Sequence, residues 1–188
     1  RRPVLSVLLL LSAVICTPLA IRALEVDEPN AQDRQIVRTI AKRMKLFHLS
    51  NQDMDDDISK KGFQLYLKSL DPSKMYFYQS DIDEFGASAD ELDDLAKSGD
   101  LSFAFAVFNR FLKRIEERLV VINQLIESEH DFTLDEVMIT DSDELEFAKN
   151  PAELKDRWRK RIKYSMLVEK SEETANEDAK NKLNRRYT

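Results

Sequence analysis

Apolar residues recur every third or fourth position along most of the chain, and the polar breaks between those runs divide it into helices. Ile36, Val37, Ile40, Met44 and Phe47 form one apolar stripe and predict a first helix over about residues 31–46. A second helix, about 53–70, carries Ile58, Phe63, Tyr66, Leu67 and Leu70 on one face. Its acidic start, DMDDD, puts negative charge where the helix dipole favours it. Gly62 in its middle costs about 1 kcal/mol relative to alanine and is read as a point of close approach. A short amphipathic piece over 88–97 turns Leu92 and Leu95 inward.

The longest element spans about 100–128. Leu101, Phe105, Phe108, Leu112, Ile115, Leu119, Ile122 and Ile126 alternate by four and three, and Phe103, Phe111, Val120 and Leu125 widen the stripe. A lone coiled coil would show a narrow seam; this width predicts the central helix of a bundle, touched from two sides. Residues 130–151 scatter Phe132, Leu134, Val137, Ile139, Leu145 and Phe147 among acids and predict turns and partial helices. Asn150-Pro151 then opens a helix to about residue 170, with Leu154, Trp158, Ile162 and Leu167 inward. A last helix, 172–187, is polar except for Ala175, Ala179, Leu183 and Tyr187.

Between the second helix and the 88–97 piece lies SLDPSKMYFYQSDIDEF, residues 69–85. Pro72 ends the preceding helix, because it lacks an N–H and forces Asp71 out of the helical region. Met75, Tyr76, Phe77 and Tyr78 follow without helical or strand period, and Ser80 is placed to cap a short helix that stops at Gly86. An aromatic-rich corner of this kind is read as a packing knot rather than an exposed ligand site.

Composition agrees with the pattern. Three glycines and five prolines in 188 residues are too few for the turns of a sandwich or barrel, so the fold class is all-α, a multi-helix bundle around one long central helix. A net charge of −6 argues against a non-specific nucleic-acid binder. The N-terminus is a separate matter. Arg1-Arg2, an apolar run over 4–20 and small residues after it describe a signal peptide over 1–23, with Ala23 as the cleavage point; an uncleaved membrane anchor is the alternative. Ile15 stands before Cys16 where lipid attachment wants a small residue. Removing residues 1–23 takes away Arg1, Arg2 and Arg22 and no acid, moving the net charge from −6 to −9, and removes the single cysteine. The remainder, 24–188, is expected to be an exported helical domain without disulfides.

The residues themselves offer no catalytic centre. His48 and His130 are far apart and lack neighbours at metal-ligand spacing. Asp53, Asp55 and Asp57 mimic the start of a calcium loop, but Ile58 and Gln64 stand where that loop needs glycine and an acid. No nucleophile elbow, phosphate loop or HExxH element occurs. No catalytic, cofactor-binding or metal-binding residue is therefore assigned. A basic band of Arg157, Arg159, Lys160, Arg161 and Lys163 beside Trp158 is read as a solvated face, or as neutralising the acids at 141–146.

Four ordered segments carry a resemblance. They are Ile58-Ser59-Lys60 through Ser69-Leu70-Asp71-Pro72-Ser73-Lys74, Tyr76-Phe77 and Ser80-Asp81-Ile82 to Phe85; Val107-Phe108-Asn109-Arg110-Phe111; Leu154 with Arg157-Trp158-Arg159-Lys160-Arg161-Ile162-Lys163-Tyr164; and Leu183-Asn184-Arg185-Arg186-Tyr187. Over about residue 31 to the end, the chain resembles the N-terminal domain of the tail-specific (C-terminal processing) serine proteases of bacteria. The resemblance implies an exported protease of the periplasm or envelope, with downstream PDZ and protease domains, a Ser-Lys dyad and no metal or cofactor. It further implies protein substrates with apolar C-terminal tails, an envelope adaptor as a further partner, and a membrane role only through the signal or anchor segment. The serine and lysine match no position here, so none is carried over. The alternatives are a stand-alone periplasmic binding or adaptor module without protease activity, and an anchored envelope structural protein.

Overall fold

A computed structural model of the chain describes residues 28–47, 55–172 and 184–187. The described residues contain α1 (Ala31–Phe47), α2 (Asp56–Leu70), α3 (Gln79–Gly86), α4 (Leu92–Ser98), α5 (Ser102–Glu127) and α6 (Pro151–Glu172), and no strand. The all-α reading therefore holds. The signal segment and most of the 172–187 helix lie outside the described residues, apart from one helical turn at 184–187.

Two apolar clusters meet along α5. Toward its start, Phe63 and Leu67 of α2, Phe85 of α3 and Val107 of α5 close around Phe77. Toward its end, Ile122, Leu125 and Ile126 pack with Leu154, Trp158 and Ile162 of α6. The corner feeds both: Phe77 enters the first cluster, while Met75 and Tyr78 enter the second. Fully buried Phe77 and half-buried Tyr76 bear out the packing knot. Tyr76 stands edge-on to Phe111 (5.4 Å) and Trp158 (5.8 Å), so one ring bridges α5 and α6.

Several expectations are corrected. In α5 the buried line runs through Val107, Arg118, Ile122, Leu125 and Ile126, whereas Phe105, Phe108, Leu112, Ile115 and Leu119 remain half-buried. Ile122 and Ile126 of the heptad are buried, and the rest of the wide apolar arc is covered only in part. In α1, Ile36, Ile40 and Met44 of the stripe are exposed, and the helix buries Ala41 and packs against α4. Arg38 Nε donates to Ser98 O at 2.6 Å across that contact. Gly62 is exposed with nothing near its missing Cβ, so it mediates no close approach. That role belongs to Gly99, the left-handed cap of α4 at φ 73°, where a Cβ would lie 2.5 Å from Arg38 Nε and 2.8 Å from Arg34 O. Leu167 is exposed, and Met166 and Glu169 are buried in its place. Ser80 is not the cap of α3: Tyr78 precedes the helix and its N–H donates to Asp81 at 3.0 Å. Residues 129–150 form turns and irregular backbone without the partial helices expected.

Candidate docking cleft

The corner is held by a residue whose part the sequence did not disclose. Asp71 is buried, and its carboxylate accepts the backbone N–H groups of Met75 (2.8 Å), Tyr76 (2.9 Å) and Phe77 (3.0 Å). Burial pushes its carboxyl up, opposed by those three donors and by Arg157. Lys74 takes φ 51°, which costs a side-chain-bearing residue of order 1 kcal/mol. It is tied across the gap by its ammonium, which donates to Leu145 O and lies over the Phe147 ring. Gln79 N–H donates to Ala148 O at 2.9 Å. The corner and the 145–148 segment are thus stitched together.

Helix α6 docks on the same corner. Trp158 Nε1 donates to Met75 O at 2.9 Å, and Arg157 donates to Glu146 O at 2.7 Å. The basic band is not neutralised by the acids at 141–146. Arg159 and Lys163 converge on Glu136, Lys160 pairs with Asp156 at 3.1 Å, and Arg157 with Glu153 at 2.6 Å. The hydrogen bonds from Arg159 and Lys163 hold the Glu136 carboxyl down at about 2. Lys163 also donates to Leu134 O at 3.1 Å, so Arg157, Arg159 and Lys163 fasten the irregular segment to α6, while Arg161 stays exposed. Spacing alone could not reveal this, because Glu136 is 23 residues from Arg159.

Between that segment and α6 lies a cleft of about 740 Å³. Val137, Met138, Ile139 and Thr140 form one wall; Arg157, Lys160, Arg161 and Tyr164 form the other, with Arg186 and Tyr187 at one side. Tyr187 is seated by its ring against Trp158 (5.8 Å) and by its hydroxyl 3.1 Å from Ser165 Oγ. The cleft combines apolar side chains with guanidinium, ammonium, carboxylate and hydroxyl groups, the mixed lining of a ligand pocket.

A second charged cluster is structural. Asp81 is buried and accepts from Arg110 (2.6 Å) and Arg114 (2.8 Å), with Glu84 and Glu117 as the outer partners of those arginines. Burial works to raise the Asp81 carboxyl, but Arg114, the Tyr78 N–H and Arg110 outweigh it and hold it low. Arg114 and Arg118 lie over the Tyr78 ring at 4.6 and 5.0 Å. The cluster fastens α3 to α5, and its cations and acids are internally balanced.

His48 and Asp53 lie outside the described residues. Asp55 caps α2 by accepting from Ile58 N–H at 3.0 Å, with Asp56 and Asp57 in the first turn. His130 Nε2 lies 2.8 Å from Leu125 O at the end of α5. Among the described residues no group of three or more His, Cys, Asp or Glu side chains could hold a metal ion, and no helix is long and apolar enough to cross a membrane.

The family model described as the tail specific protease N-terminal domain matches residues 40–188. The tail-specific protease of Haemophilus influenzae is 31% identical over 146 residues, which make up 77% of this chain and 21% of that protein. The chain thus spans about a fifth of the length of that relative.

Proposed function

The chain belongs to the tail-specific protease N-terminal domain family, and from that membership we propose that it is the helical scaffold and gate of an exported serine endopeptidase acting on envelope proteins. The observation that carries the reading is the extent of the match: most of this chain aligns with a fifth of a protease. The serine nucleophile, its lysine base and the PDZ domain then belong to the other four-fifths, and this module contributes shape and contact. Two half-covered surfaces support a role in a larger molecule. The Ile36–Ile40–Met44 stripe of α1 and the Phe105–Leu119 rail of α5 are apolar faces that the described helices leave partly open to solvent. The rigid corner supports a gate, since an element that restricts access must hold its shape under load.

The experiment compares the complete protease with a form lacking this module, on a short peptide and on a folded protein bearing the same apolar C-terminal tail. A gate predicts that short-peptide hydrolysis survives deletion while discrimination between the two substrates shrinks. An unchanged ratio with full activity on both substrates would overturn it.

A further inference from the structure

We propose that backbone 137–140, on the rim of the cleft, is a docking edge for an extended acidic and apolar peptide, which adds to it as a β-strand. This docking edge is separate from the scaffold role. Among the described residues, no backbone N–H or C=O of 137–140 takes part in a backbone hydrogen bond. The chain on either side is pinned. Leu134 O accepts from Lys163 at 3.1 Å, and Glu146 O accepts from Arg157 at 2.7 Å. The free stretch is therefore an edge presented in a fixed place, which lowers the ordering cost of pairing with a partner strand.

The side chains match that use. Val137 is 83% exposed and Ile139 49%, two residues apart as on one face of a strand, while Met138 between them is half-buried. A partner strand alternating apolar and acidic residues would lay its apolar side chains against Val137, Ile139 and Tyr164 and turn its carboxylates to α6. There Arg161 is exposed and has no carboxylate partner among the described residues, and Lys160 holds only Asp156, at 3.1 Å. Arg157, Lys160 and Arg186 around the cleft pair with Glu153, Asp156 and Glu169, which leaves Arg161 as a local excess of positive charge in a chain of net charge −6. That inversion selects an acidic ligand. The volume, about 740 Å³, is of the size that holds a short peptide segment.

The test uses the full 188-residue chain. Its probe is a rhodamine-labelled peptide alternating glutamate and valine, with an amidated C-terminus so that only side-chain carboxylates are offered. Fluorescence anisotropy should show saturable binding, weaker by about tenfold for the peptide with lysine in place of glutamate, and similarly weaker when alternate backbone amides are N-methylated. Arg161→Glu should weaken the glutamate peptide by about fivefold or more without changing the circular dichroism spectrum. No saturable binding, equal binding of the lysine peptide, or indifference to N-methylation would each overturn the proposal, and the peptide comparisons do so on the unmodified chain.

Discussion

Replacing Asp71 by alanine should undo the corner, and its cost can be worked from the contacts. The carboxylate is the acceptor for three consecutive backbone donors at 2.8–3.0 Å, and two of them, on Met75 and Phe77, belong to buried residues. A buried N–H left without an acceptor costs about 1–3 kcal/mol. Removing the carboxylate returns part of this, because its own burial is unfavourable, as its upward-pushed pKa records. The expected net loss is about 3 kcal/mol. Asp71→Asn keeps one acceptor oxygen and the shape, and should cost about 1–2 kcal/mol. The assay is built into the protein: Trp158 is the single tryptophan, is buried, and donates to Met75 O at 2.9 Å, so its fluorescence reports on the corner. Urea titrations followed by that fluorescence and by far-UV circular dichroism give both variants' stabilities. A loss below about 1 kcal/mol for Asp71→Ala would mean that packing, not the carboxylate, holds the corner, and would refute the reasoning.

Other consequences follow from the same packing. Phe77→Ala should cost about 3–5 kcal/mol, and Tyr76→Ala less, because Phe77 is fully buried and Tyr76 only half; the same titrations rank them. Gly99→Ala forces a left-handed φ on alanine and drives its Cβ into Arg38 and Arg34, so amide exchange in α1 should quicken while that of α6 does not. The Glu136 carboxyl ordinarily titrates near 4.5 and is held at about 2, so it stabilises the fold fully above about pH 4.5 and loses that contribution as pH falls toward 2. The stability advantage of the wild type over Glu136→Gln should therefore shrink across that window in acid titrations; an advantage that grows as pH falls would contradict it.

How far the sequence could be read depended on the range of the signal. Local signals were legible: the period of α2, Pro151 at the first position of α6 and the proline break at the corner all appear where the pattern puts them. Burial along a helix was less so, since an apolar stripe states what could be covered, not what is. In the α5 heptad Ile122 and Ile126 find their partners on α6, while Ile36, Ile40 and Met44 of the α1 stripe stay exposed. The cleft was the least legible. It depends on Glu136 meeting Arg159 and Lys163, and on Lys74 meeting Leu145 across 71 residues. Such pairings are set by the docking of α6 on the corner, which no local window contains. Asp71 could have been singled out as an Asx-type acceptor before Pro72, but its reach to Phe77 is a property of the folded corner.

The proposed scaffold and gate role requires that this chain hydrolyse no peptide on its own. The direct measurement is mass-spectrometric analysis of peptides with apolar C-termini incubated with the purified 188-residue chain, alongside the complete protease. The account predicts turnover by the complete protease and none by this chain. Specific cleavage by the chain alone, abolished by substituting one of its own serines, would contradict it.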